Sequence, residues 1–442
     1  MSKTRFFGNL IKTNPTLPTA NSSSAYGTAT GIWTLEEAGA FRAAGDWPVP
    51  ASPPGAPTIT GVTGGNAQVA VAFNANADNG GLTVSSFTAT ASSGQTASGS
   101  SSPLTVTSLT NDSAVTFTVT ATNASGTSSA SSASSSVTPV NPPRGLFFGG
   151  GTTKYNNSQL NTIDYITISS TGNAQDFGDL SVTRTQLGSF ASTTRAVSNG
   201  GIAGGTKKDT IDYVTIASTG NATDFGDIST AREGTGGLSN ATRGVCLGGD
   251  PGPSDSERVI EYVTIASTGN ATDFGDSAID LEYGCAGCAS PTRGIMFGGS
   301  YIPDNTIQYI TIGSTGNASD FGDLNFNATA AGGASSNTRA LCGRAYGGGG
   351  GSSPRLNIDY ITIASTGNAT DFGDQGNDRG GGAGTSSNTR GIFGGGDDDN
   401  YGTINIIEYV TIASTGNTQD FGDLTVARVR HGAASSDHGG VQ

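Results

Sequence analysis

Short runs of alternating apolar and polar residues fill most of this chain, and between residues 144 and 438 one such run returns six times. The copies read IDYITISSTGNAQDFGDL (163–180), IDYVTIASTGNATDFGDI (211–228), IEYVTIASTGNATDFGDS (260–277), IQYITIGSTGNASDFGDL (307–324), IDYITIASTGNATDFGDQ (358–375) and IEYVTIASTGNTQDFGDL (407–424). Their tyrosines, Tyr165, Tyr213, Tyr262, Tyr309, Tyr360 and Tyr409, are spaced by 48, 49, 47, 51 and 49 residues. A period near fifty made of short strands predicts a β-propeller.

Each repeat reads as four strands. Strand A is small and glycine-rich, as in TQLGSFAS or NATAAGGASS. Strand B starts at an arginine and runs to a glycine pair, as in RGLFFGG (144–150) and RGIMFGG (293–299). Strand C is the IDYVTI segment and strand D the DFGDL segment. Small residues suit A, because the innermost strands of wedge-shaped blades crowd an axis. Strand B is apolar on both faces because blades stack face to face. The first repeat begins at B with Arg144, and the last ends in a lone A, roughly Val429–Ser436. The C-terminal strand is therefore expected to complete the first blade, closing six blades into a ring without open sheet edges.

Alternation of a different kind occupies residues 57–138, in QVAVAF (68–73), LTVSSFTATAS (82–92), LTVTSL (104–109) and AVTFTVTATNASG (114–126). It predicts a β-sandwich. The run SSASSSV (131–137) and the prolines Pro139, Pro142 and Pro143 read as a short, semi-stiff lead into the repeats, with 139–143 as the linker. Residues 1–56 form a separate arm. Thr34 and Glu37 make a capping box for a short helix that Gly45-Asp46-Trp47-Pro48 stops. Trp33, Leu35, Phe41 and Trp47 cannot bury themselves in so short a piece, so the arm is expected to dock or to oligomerise through them.

Charged residues make up 13% of the 442, about half the usual share, and glycine supplies 69. With tight turns and few helix-forming stretches, this is an all-β composition. A net charge of −14 argues against a nucleic-acid partner, since phosphates would go unneutralised. The N-terminus MSKTRFFGNL has no apolar signal core and no stretch approaches a membrane span, so synthesis in a cytosol without membrane insertion is expected. Cys246 and Cys342 fall in apolar strands. Cys285 and Cys288 form a CxxC with no second pair or nearby histidine, so no metal or other cofactor is expected.

The STGNATDFGD segment recurs in every repeat and reads as hairpin-turn chemistry. Its Asp is expected to accept turn N–H bonds or to pair with Arg144, Arg195, Arg243, Arg293, Arg339 or Arg390. With only His431 and His438 present, a Ser-His-Asp set or a copper site is excluded, and no catalytic residues are assigned. In an up-and-down blade the A–B and C–D turns share one face, and the B–C and D–A loops the other. The first pair is monotonous here. The B–C loops differ: GTTKYNNSQLN, GGTKKDT, GDPGPSDSERV, SYIPDN, RAYGGGGGSSPRLN and GDDDNYGT. Diversity on one face suits recognition. The candidate contact residues are Tyr155, Lys207, Lys208, Tyr301, Tyr346, Arg355, Asp398 and Tyr401. Asp397-Asp398-Asp399 reads as a solvated acidic run or a cation ligand.

The order Arg, small apolar strand, Gly-Gly, Tyr strand and aromatic resembles the kelch family, with Phe177, Phe225, Phe274, Phe321, Phe372 and Phe421 where kelch repeats often carry Trp. FNANADNGGLTVSSFTATA and TVTATNASGTS resemble fibronectin type III modules, with Phe73 in place of a frequent Trp and Val115 in place of the corner Tyr. The whole layout resembles virion appendage proteins of tailed phages, particularly marine and cyanobacterial ones, through GIWTLEEAGAFRAAGDWP and IDYITIASTGNATDFGDLT. The resemblance implies a tail fibre or other tail- or capsid-associated structural protein, not an enzyme. Its arm would join other virion proteins or further copies of itself, and its propeller would meet a host surface glycan or protein. An exported bacterial adhesin, and a propeller enzyme acting on polysaccharide, are the competing expectations.

Overall fold

The structure, a computed structural model, describes residues 51–153, 158–252, 258–282, 284–299, 305–343, 345–347, 353–398 and 402–441. Trp33, Leu35, Phe41 and Trp47 lie outside them. The described residues are all-β, with no α-helix, and the chain divides into two compact units between Pro142 and Pro143.

In the first unit, β1 (Thr58–Gly65), β2 (Gln68–Asn74) and β5 (Leu104–Thr107) form one antiparallel sheet. The second contains β3 (Ser86–Ala91), β4 (Thr96–Gly99), β6 (Phe117–Asn123) and β7 (Gly126–Thr127). Alternate residues of both, Val69, Val71 and Phe73 with Phe87, Ala89, Phe117 and Val119, point into one core. Phe73 meets Phe87 there at 4.9 Å between ring centroids.

The serine-rich run is not a spacer. Ser128, Ser131 and Ser134, three residues apart, each accept a backbone N–H of β6 on their side-chain oxygen, from Ala121, Val119 and Phe117. Their own N–H groups donate to the same three residues' carbonyls. A period of three is that of an extended polyproline-type strand, and it covers an edge that would otherwise stand open.

The second unit contains six blade-like antiparallel sheets, each ordered A-B-C-D from the repeat's four segments. The first is assembled from both ends of the repeat region. Gly432–Ser435 supplies A, and Arg144–Phe148, Thr162–Thr167 and Gln175–Asp179 supply B, C and D. The other A strands are Gly188–Ala191, Gly236–Ser239, Ala286–Ala289, Gly332–Ser335 and Ala383–Ser386. Each A strand touches the next in this order, and Ala383–Ser386 returns to Gly432–Ser435. Six apolar clusters form the core, one between each pair of adjacent sheets. The last packs Phe147, Ile166 and Ile168 of the first sheet on Ile392, Ile407 and Phe421 of the sixth.

Three sets of polar contacts repeat around this circuit. Each B-strand arginine stacks on the tyrosine of its own sheet, at 4.3–4.8 Å from guanidinium to ring centroid. It then donates to a carbonyl of the next sheet, from Arg144 to Ile216 (2.7 Å) through to Arg390 on Ile168 (2.9 Å). These arginines therefore act as links between sheets and do not pair with the DFGD acids.

The STGN turn makes the second set. Gly220 and Ala222 donate to the carbonyls of Phe177 and Asp179 in the preceding sheet, and Asp179 donates its N–H to Asn221 Oδ1. Asn270, Asn317, Asn368, Asn417 and Asn173 do the same at the other joints. Each outer D edge is thus covered by its neighbour's turn. Gly178 of DFGD allows the approach, since a Cβ there would lie 2.4 Å from the Gly220 carbonyl oxygen.

The third set is buried. Arg184, in the connector after the first D strand, donates to Asp212 Oδ2 (2.7 Å), the carbonyls of Gly200 (2.9 Å) and Thr210 (2.7 Å), and Ser198 Oγ (3.1 Å). Arg232–Glu261, Arg379–Glu408 and Arg428–Asp164 repeat the pairing. Two joints differ. Leu281 replaces the arginine where the partner position holds Gln308. Ala328 replaces it where Asp359 is held by Asn325 through its backbone N (2.7 Å) and Nδ2 (3.0 Å).

Candidate functional site

Strand A runs away from the D–A connector, so the D–A connectors and B–C loops meet at one end of the A strands. Isolated bridges tie them together there: Gly151 with Val429, Thr185 with Ile202, Glu233 with Asp250, Thr329 with Tyr346 and Gly380 with Asp397. The following residue is held at positive φ in every repeat. These residues are Gln186 (57°), Gly234 (67°), Gly284 (63°), Ala330 (48°), Gly381 (67°) and Arg430 (53°). Backbone bonds join several of them directly, from Arg430 N to Gly381 O (2.6 Å), Gln186 N to Arg430 O (2.7 Å) and Gly234 N to Gln186 O (2.8 Å).

This ring of backbone is the rim of an axial cavity of about 160 Å3. Its wall carries Gln186, Ser189, Cys285, Tyr346, Arg430 and His431 among many glycines and alanines. The small A-strand residues leave the space open. At the far end of the A strands the C-terminal tail crosses the axis, with His438 Nε2 3.0 Å from the Ala191 carbonyl oxygen and 3.2 Å from Ser239 Oγ. Burial holds the His438 imidazole below its ordinary pKa, against that carbonyl and the Asp437 charge.

Charge is concentrated at one side of the rim. Lys207 Nζ lies 2.7 Å from Asp250 Oδ1 and 3.7 Å from Glu233 Oε1. Gln186 Nε2 donates to Glu233 Oε2 at 2.9 Å. Burial raises the Glu233 pKa, while Lys207 opposes the shift. Tyr346 is 2% exposed, its ring lying across Gly380 and Gly381 and its hydroxyl 3.5 Å from Asp397 Oδ2. Burial pushes the Cys285 thiol up to about 12, so it stays protonated and offers no nucleophile. Cys285 and Cys288 pack into different apolar clusters. The arrangement offers hydrogen-bonding groups and paired charges beside an open space, with the Tyr346 ring packed under the Gly380–Gly381 backbone.

Of the sequence candidates, Tyr155, Tyr301 and Tyr401 lie outside the described residues. Arg355 lies in strand C of the fifth sheet, Ser353–Thr362, where its backbone alone is described. Lys207 and Lys208 sit on the hairpin after Ile202–Ala203. Asp397 and Asp398, read as a solvated run, are both buried, Asp398 at 8% exposure. The structure places Tyr346 in the wall of the axial cavity, and Lys207 beside Glu233 and Asp250 outside its lining. To that wall it adds Gln186, Arg430 and His431, which sequence reasoning left out. One signal for two of them was present: aligned repeats place Gln186 and Arg430 where three sister repeats have glycine.

No family model matches this chain, and no curated protein matches it.

Proposed function

We propose that this chain is a virion appendage protein of a tailed phage, a tail fibre or similar part, that displays a six-bladed kelch-like β-propeller for attachment to the host surface. In this reading residues 57–138 are a fibronectin type III-like spacer, and residues 1–56 join the protein to other virion components or to further copies of itself. The circuit of A-strand contacts and the pairing of Gly432–Ser435 with Arg144–Phe148 support the propeller.

One observation carries the functional reading. The repeated turns are used up in joints between sheets, while the non-repeating residues gather on the opposite face around the axial cavity. A face whose residues vary chemically from repeat to repeat suits recognition. Mass spectrometry of purified virions, with immunogold labelling, tests the placement. The protein should be found on the particle at stoichiometric levels. Its absence from virions, with presence on a bacterial envelope, would favour the adhesin reading instead.

A further inference from the structure

Nearly every arginine of the second unit is committed to the fold. Among those whose side chains are described, all but Arg430 donate to a carbonyl or pair with a carboxylate. Arg430 does neither, although it lines the axial cavity, and its Nε is buried without a hydrogen-bond partner. Its backbone stands at φ 53°, which arginine rarely adopts, and the equivalent Gly234, Gly284 and Gly381 show that glycine serves there. Strain of this kind gathers at functional sites.

A second residue of the cavity wall departs from its sisters in the same way. Ser189 of the second A strand occupies the position that Gly237, Gly287, Gly333, Gly384 and Ala433 hold in the others. It is 8% exposed, and its Oγ has no hydrogen-bond partner among the described residues. Buried polar atoms are almost always satisfied, so a wall that leaves two open is shaped for something that satisfies them. Both residues belong to one sector of the wall. A Cβ on Gly432, next but one to Arg430, would run into Ser189 Oγ, and Gln186 N donates to the Arg430 carbonyl at 2.7 Å.

Charge decides the class of ligand. Arg430 is the one arginine or lysine of the lining, and no aspartate or glutamate belongs to it. The Arg430 charge reaches Glu233, but that carboxylate lies outside the lining, where Gln186 Nε2 and Lys207 already hold it. In a chain of net charge −14, one cation is thus left unmatched beside an open space. A guanidinium presents its N–H donors in a planar fork that fits a carboxylate, and Ser189 adds an O–H donor. A single negative charge balances Arg430. A neutral ligand would leave the guanidinium unmatched, and a doubly charged phosphate would keep excess charge among glycines and alanines.

We infer that the axial cavity binds the carboxylate of a small organic monoanion, with Arg430 and Ser189 as its contacts. This names the ligand group of the face proposed above to meet the host, and it rests on that reading only for the carboxylate's origin at the cell surface. The test follows the arginine Nε–H signals of the full chain in a proton–nitrogen correlation spectrum during titration with acetate, at an ionic strength held constant with sodium chloride. Acetamide, the neutral counterpart of acetate, and inorganic phosphate are titrated alongside. Arg430→Gly identifies the Arg430 signal by its absence, and Ser189→Gly removes the hydroxyl. Both copy the sister repeats, so their melting temperatures should not fall. The Arg430 signal should move saturably at millimolar acetate and stay unmoved by acetamide. Ser189→Gly should weaken acetate binding at least about fivefold, the loss of one hydrogen bond to a charged group. An Arg430 signal that acetate does not move, an equal response to acetamide, tighter binding of phosphate, or undiminished acetate binding in Ser189→Gly would overturn the assignment. Acetate binding to the wild type, with cell attachment unchanged in Arg430→Gly, would keep the carboxylate site and remove it from host contact.

Discussion

The buried arginine joints make the sharpest energetic prediction. Arg184 and Asp212 are fully excluded from solvent, and the guanidinium satisfies two carbonyls as well as the carboxylate. Arg184→Leu leaves Asp212 charged and buried, with Ser181 as its remaining partner in that network. Breaking one side of such a pair costs about 3–5 kcal/mol. The chain contains its own control, since Leu281 faces Gln308 at the joint into the fourth sheet. The double variant Arg184→Leu/Asp212→Gln copies that arrangement and removes the stranded charge. It should cost only about 1–2 kcal/mol, the remainder reflecting the orphaned Gly200 and Thr210 carbonyls. Urea unfolding followed by far-UV circular dichroism on the wild type, both single variants and the double gives the cycle, with an expected coupling of about 2 kcal/mol or more. A single variant that costs under about 1 kcal/mol, or a double no better than the single, would refute the assigned role of the pair.

Other outcomes follow from the same contacts. Ser131→Ala strands the buried Val119 N–H and should cost about 1–3 kcal/mol, whereas the exposed Ser132→Ala should stay within about 0.5 kcal/mol in the same urea assay. Burial raises the Asp359 pKa, so the folded state holds that proton more tightly than the unfolded one and loses stability as pH rises above the ordinary carboxylate range. Asp359→Asn should therefore be at its most favourable relative to wild type near neutral pH, with the gap narrowing towards pH ~4; a pH-independent gap in melting temperature would contradict this. Deleting residues 427–442 removes Arg428 and the A strand of the first sheet, and should abolish the cooperative melt and raise light scattering by exposing the Arg144–Phe148 edge.

Much of the strand layout was legible because the hydrophobic pattern is written six times. A single IDYVTI run is ambiguous, but six in register fix the C strands, and the unmatched A segment at the end identified the pairing with Arg144–Phe148. The roles of the arginines were less legible. Their partners are a ring about 20 residues on in the same sheet and a carbonyl about 70 residues on in the next, and neither leaves a local signal. Likewise β1 and β4 were missed: three glycines interrupt the alternation of TITGVTGG although five of its eight residues are β-branched, and TASG is only four residues long. The serine run was read as a semi-stiff lead by composition, although its period of three pairs it with β6. At the candidate site, loop diversity singled out Lys207 and Tyr346, which lie at the same end of the A strands as the cavity mouth. It said nothing of Gln186 and Arg430, which lie in connectors whose significance is a backbone angle.

Cell binding after replacement of one face tests the central claim most directly. Labelled full-length protein is mixed with host cells, alongside a variant whose six B–C loops are replaced by short Gly-Asn turns. The replacement keeps Gly151, Ile202, Asp250, Tyr346 and Asp397, which bridge to the D–A connectors, and exchanges only the residues beyond them, so the melting temperature should change little. The account predicts that binding disappears. Retained binding by a folded variant would contradict it, moving the contact to the repeated face, the outer rim or the first unit.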